Sequence, residues 1–150
     1  MDPFAADPAF RRYAWCTAIL ALKMILSAFY TSACRLRYRG FVNPEDAAAF
    51  AGQGAACEQE HPAVARALRI QRNDVENIPA FFAVGLVYVL LGASPSGAAI
   101  YLGTYTTARV LHTAAYMAGL QPWRAICYGI GVLCMLGMIV QILAQAGSGS

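Results

Sequence analysis

Hydrophobic positions fall in four long runs separated by polar breaks, a pattern that predicts an all-α, polytopic membrane protein. The first run, Tyr13 to Cys34, follows Arg11 and Arg12 and is closed by Arg35, Arg37 and Arg39, which predicts a helix over about 11–36. It exceeds the roughly 7–15 residues of a signal-peptide core and is interrupted by Lys23, so it reads as a retained helix. Lys23 has two options: to snorkel to the headgroups or to pair inside a bundle. The second helix is predicted over 62–91. At about 45 Å it outreaches a ~30 Å hydrocarbon core, so its first turns should stand clear of the membrane, and Pro79 should bend it. The uncharged turn Gly92–Gly97 leads to a third helix over 97–118, and Gly119-Leu120-Gln121-Pro122 to a fourth over 122–145. Gly129, Gly131 and Gly137 would allow close helix packing. Short turns and one longer connection make an up-down four-helix bundle, a single domain over 1–146. Gly147-Ser148-Gly149-Ser150 looks like an appended linker.

That longer connection contains Asn43-Pro44-Glu45-Asp46, which reads as the start of a short helix ending near Gly52. Asn43 can cap, Pro44 suits the first helical position, and two acids meet the positive end of the dipole. Capping alone is enough to explain these residues. His61, just before Pro62, is expected in solvent.

The second helix departs from a plain span. Its apolar part, Ile78 to Leu91, is shorter than the about 20 residues a crossing needs, and the turns before it carry Arg69, Arg72, Asn73, Asp74 and Glu76. Ionisable groups at such depth normally face a protein interior or a wet cavity. At about 100° per residue, Arg69, Arg72, Asn73 and Glu76 share one stripe and Asp74 points elsewhere. Two guanidiniums, an amide and a carboxylate on one face suit a small zwitterionic ligand. On the third helix, Tyr105, Arg109, His112 and Tyr116 recur at helical spacing on one face. Arg109 cannot face lipid cheaply, and off-stripe Asp74 is its expected structural partner. His112 reads equally as a packed histidine or as a ligand group.

Composition agrees with the pattern. The chain of 150 residues is 59% hydrophobic and 13% charged, against about 45–50% and 25% in soluble domains. The net charge of +3 does not suggest nucleic acid as a partner. The cysteines Cys16, Cys34, Cys57, Cys127 and Cys134 lack CxxC spacing, so neither a disulfide nor a metal site is expected. Basic residues of the first loop and Arg124 should lie in the cytoplasm, with both termini opposite. The cytoplasmic helix ends then hold Arg35, Arg69, Arg72, Asn73, Glu76, His112, Tyr116, Arg124 and Tyr128. Cations predominate in this set, which suits an anionic ligand, and a cationic pocket would ionise a bound thiol.

Arg-Asn-Asp-Val-Glu-Asn at 72–77, Phe-Val-Asn-Pro-Glu-Asp at 41–46, Arg-Val-Leu-His-Thr-Ala-Ala-Tyr at 109–116 and Gln-Pro-Trp-Arg-Ala at 121–125 resemble the MAPEG superfamily, the membrane-associated proteins of eicosanoid and glutathione metabolism. The resemblance implies a homotrimer of four-helix subunits with glutathione bound between neighbours near the cytosolic face. It implies glutathione contacts from Arg35, Arg72, Asn73, Glu76, His112, Tyr116, Arg124 and Tyr128. Arg124 would stabilise the thiolate, and Asp46 could pair with it. Lys23 and Arg69 match basic positions in relatives. The implied localisation is multi-pass, with the active site toward the cytoplasm: endoplasmic reticulum in a eukaryote, inner membrane in a bacterium.

Two branches of the superfamily divide the motifs. Arg72 is similar to prostaglandin E synthases, whereas Gln-Pro-x-Arg-Ala is similar to microsomal glutathione transferases. Ala125 stands where the synthases carry a serine. The expected activity is therefore glutathione transfer, extending to peroxidase activity, on lipophilic electrophiles reached from the bilayer. The alternative is isomerisation of a prostaglandin endoperoxide. A rival of another class is a non-catalytic lipid-binding scaffold.

Overall fold

The computed structural model describes residues 6–148, so the first residues of the chain and Gly149-Ser150 of the tail lie outside it. The elements are α1 (Pro8–Tyr38), α2 (Pro44–Phe50), α3 (Pro62–Leu90), α4 and α5 (Trp123–Ser148). The run α4 has three contiguous segments: Pro95–Ala98, a wider π-turn at Ala99–Gly103, and Thr104–Met117. Among the described residues every regular element is helical.

Caps set where the helices begin. The Ala9 N–H donates to Asp7 Oδ1 at 2.9 Å and Pro8 takes the first turn, which starts α1 three residues earlier than the expected 11. Asn43 accepts from the Glu45 N–H at 3.1 Å and opens α2 as the sequence predicts. The Ser94 hydroxyl accepts from the Gly97 N–H at 3.1 Å, so the helix begins at Pro95 inside the expected turn. His61 is not simply solvated: its Nδ1 accepts from the Ala63 N–H at 3.2 Å, and its ring stacks on Tyr38 with centroids 4.4 Å apart. At the far end of α4, Gly119 adopts φ 70°, which lets the Leu120 N–H reach back to the Ala115 carbonyl at 2.8 Å.

The chain forms two compact units, Lys23–Val75 and the residues up to Leu22 together with those from Glu76 onward. In the first unit, buried Cys34, Val64 and Ala67 form a small core under Tyr30 and Leu68. Deeper along α1, buried Lys23 forms an ion pair with Asp74 Oδ1, and the Ser27 hydroxyl donates to Asp74 Oδ2 at 2.8 Å. Lys23 thus takes the pairing option. In the second unit, Tyr13 donates to the Phe82 carbonyl at 2.9 Å, and Phe81 stacks on Tyr105 with centroids 4.2 Å apart. Helices α4 and α5 pack together where α5 carries glycine. A Cβ at Gly131 would lie 3.2 Å from the Arg109 guanidinium, and one at Gly137 would overlap the Tyr101 ring. Gly129 has open space around it, so among the described residues only two of the three expected packing glycines serve that role.

The core is mainly apolar but also holds ionisable groups, and many large apolar side chains lie on the outside. Lys23, Asp74, Arg109 and His112 are buried, whereas Trp15, Phe29, Leu133 and Leu143 are each at least 65% exposed. Polar groups inside and large apolar ones outside suit a lipid solvent. Helices α1 and α5 are long and apolar enough to cross a membrane.

Candidate functional site

Two groups of the predicted residues come together, one in each unit. In the Lys23–Val75 unit, the last turn of α1 presents Arg35 and the first turn of α2 presents Asp46. Both line a cleft of 320 Å³ with Phe41, Val42, Asn43 and Glu60. A second cleft of 250 Å³ shares Arg35, Phe41 and Asp46 and adds Ser32, Leu36 and Phe50. Arg35 Nη2 lies 3.6 Å from Glu60 Oε1. Arg69 and Arg72 are exposed on α3, Asn73 is half-buried and Asp74 is buried. That graded burial follows the stripe read from the helical period.

In the other unit α4 and α5 build a ladder of rings and guanidiniums. Arg109 is buried, donates to Asn77 Oδ1 at 3.0 Å, and has its Cζ 5.0 Å from the Tyr105 ring and 5.4 Å from the Tyr128 ring. Tyr105 in turn donates to the Asn77 carbonyl at 2.9 Å. Two turns along α4, the His112 and Tyr116 rings lie 5.8 Å apart. The half-buried Arg124 of α5 places its Cζ 4.1 Å over the Tyr116 ring. The ring face attracts the cation, and the N–H donors lie in the guanidinium plane, clear of that face. Among the described residues Arg124 makes no ion pair. A partly dry guanidinium held by an aromatic face rather than by a carboxylate is chemically an anion receptor. Glu76 is exposed where the second stretch of this unit begins.

Asp74 and Arg109, expected as a structural pair, each have partners within their own unit. Asp74 takes Lys23 and Ser27, and Arg109 takes Asn77 together with two tyrosine faces. The reason is local: Lys23 and Ser27 lie one helical turn apart and offer both carboxylate oxygens a donor. Asn77, Ser27 and Glu60 were not singled out in the sequence. Asn77 ends the 72–77 motif and Ser27 follows Lys23 at i+4, so each carried a readable signal. Glu60 lies in an irregular connection with no period to place it.

The family model of the MAPEG family matches residues 13–144. The chain belongs to the MAPEG family. Prostaglandin E synthase of Homo sapiens is 37% identical over 142 residues, covering 94% of this chain and 92% of that protein. Prostaglandin E synthase of Mus musculus is 39% identical over 129 residues, covering 85% and 83%. Microsomal glutathione S-transferase 1 of Homo sapiens is 36% identical over 141 residues, covering 91% and 90%. Both kinds of MAPEG relative therefore align along nearly the whole chain, with closely similar identities.

Proposed function

We propose that this MAPEG protein is a glutathione-dependent membrane enzyme that directs the glutathione thiolate at lipophilic electrophiles. The observation that carries the reading is Arg124, half-buried over Tyr116 and without an ion pair among the described residues. The donor set fits the tripeptide's chemistry. Arg35 and Arg72 suit its carboxylates, Glu76 its ammonium, and Asn73 and the hydroxyls of Tyr116 and Tyr128 its amides. His112 belongs to the same set by its place in the motif. Glutathione supplies the thiol nucleophile. Arg124 holds the negative charge of the ionised sulfur and so lowers its pKa. Asp46, when paired with Arg124, orients the guanidinium. The proposed assembly is a homotrimer of four-helix subunits, multi-pass in the bilayer with the reaction on the cytoplasmic side, and the lipophilic substrate arrives from the lipid.

A second reading is glutathione-dependent isomerisation of a prostaglandin endoperoxide. It is favoured by Arg72 in the 72–77 motif and by the identity to prostaglandin E synthases. Ala125, which has no hydroxyl to offer the sulfur, favours the transferase. Purified protein assayed with glutathione and an aryl halide, a lipid hydroperoxide or a prostaglandin endoperoxide separates the two. Conjugate without isomerised endoperoxide is expected. Isomer alone would establish the second reading, and no thiolate absorbance with added glutathione would refute both.

A further inference from the structure

We infer that Glu60 is an internal competitor for Arg35: its carboxylate occupies the guanidinium that a glutathione carboxylate would take, and so limits the affinity for glutathione. The proposal rests on Arg35 being a glutathione ligand.

The geometry of the pair is that of a placeholder. Arg35 Nη2 and Glu60 Oε1 are 3.6 Å apart, well beyond the about 2.7–2.9 Å of a charge-assisted hydrogen bond and without the two-pronged match a carboxylate can make to arginine. The second oxygen, Oε2, is buried and has no hydrogen-bond partner among the described residues. Glu60 therefore holds Arg35 by one long contact while keeping its other oxygen from water, which is unfavourable for an ionised group. Both side chains remain partly solvated, at 35% and 28% exposure, so the attraction between them is modest. Both also line the 320 Å³ cleft, which leaves room for a ligand carboxylate to reach the guanidinium. An incoming carboxylate bonded bidentately would gain what Glu60 lacks, and Glu60 would swing toward water. Glu60 precedes Pro62 by two residues in an irregular connection, so that movement unwinds no helix.

Neutralising Glu60 should tighten glutathione binding. A partly exposed pair of this kind is worth up to roughly 1 kcal/mol, so Glu60→Gln is expected to lower the Kd for glutathione by about twofold to fivefold. The experiment is calorimetric titration of glutathione into the full-length detergent-solubilised protein, with KM for glutathione as a parallel readout. The variants are Glu60→Gln, Arg35→Met and the double substitution, each checked for an unchanged thermal midpoint. The expected pattern is tighter binding in Glu60→Gln, weaker binding in Arg35→Met, and no further change when Glu60→Gln is added to Arg35→Met. If Arg35→Met weakens binding but Glu60→Gln leaves it unchanged or weakens it, the competition is refuted while the Arg35 assignment stands. If Arg35→Met has no effect, the assignment of Arg35 fails and the competition with it.

Discussion

Replacing Asp74 by asparagine would remove the carboxylate paired with the Lys23 ammonium in a site where the two side chains are only 10% and 2% exposed. Removing one partner of such a buried pair typically destabilises by about 3–5 kcal/mol, because the remaining charge stays buried while the charge it was paired with is gone. The Ser27 hydroxyl, which donates to the other oxygen at 2.8 Å, keeps a carbonyl-type acceptor in asparagine, so most of the loss comes from Lys23. Lys23→Met strands the Asp74 carboxylate instead, and a loss of similar size is expected. Neither charge is orphaned in Lys23→Met/Asp74→Asn, so the combined loss should be far below the sum, at about 1–3 kcal/mol. Reversible unfolding of the solubilised protein, read by helical circular dichroism in a denaturing detergent, measures all three variants. Single losses under about 1 kcal/mol, or losses that add, would mean that the pair is not the buried unit described here.

Other expectations follow from the site and the packing. Arg124→Ala should cut turnover by about 10²–10³, the usual effect of removing one oxyanion-stabilising donor, and change glutathione Kd much less; stopped-flow thiolate absorbance and calorimetry read the two quantities separately. Glu76→Gln should raise the Kd for glutathione by about tenfold, the equivalent of about 1.4 kcal/mol for a lost charge-assisted hydrogen bond, and equilibrium titration checks it. Gly137→Ala should destabilise by about 1–3 kcal/mol, because its Cβ would overlap Tyr101, whereas Gly129→Ala meets open space. Thermal midpoints that do not separate these two variants would contradict the packing of α4 on α5.

Much of the local structure was legible because short-range chemistry decides it. Asn43 and Pro62 mark helix starts by capping and by the fixed φ of proline, and α2 lies where Asn43-Pro44 puts it. The stripe of Arg69, Arg72, Asn73 and Glu76 was readable from the helical period, as was the separate heading of Asp74. The partner of Asp74 was not. Periodicity orders side chains around one axis but carries no information about which neighbouring helix stands opposite, and Arg109 and Lys23 were both available in sequence. Arg124 was legible as a terminal-turn cation, while its seat over Tyr116 depends on how α4 and α5 pack. The gap between Arg35 and Glu60 depends on the path of an irregular connection.

The π-turn at Ala99–Gly103 works as slack inside a continuous rod. It houses an extra residue without breaking the helix, because the wider turn absorbs what ordinary winding would convert into a rotation of about 100°. Deleting one residue there would restore ordinary winding and leave the headings of the two flanking segments nearly unchanged. Tyr88, whose hydroxyl sits against Gly97, would then keep its seat. The ladder of rings beyond the turn would also point where it did, so this turn tolerates loss of its extra residue at no cost to the arginine cluster.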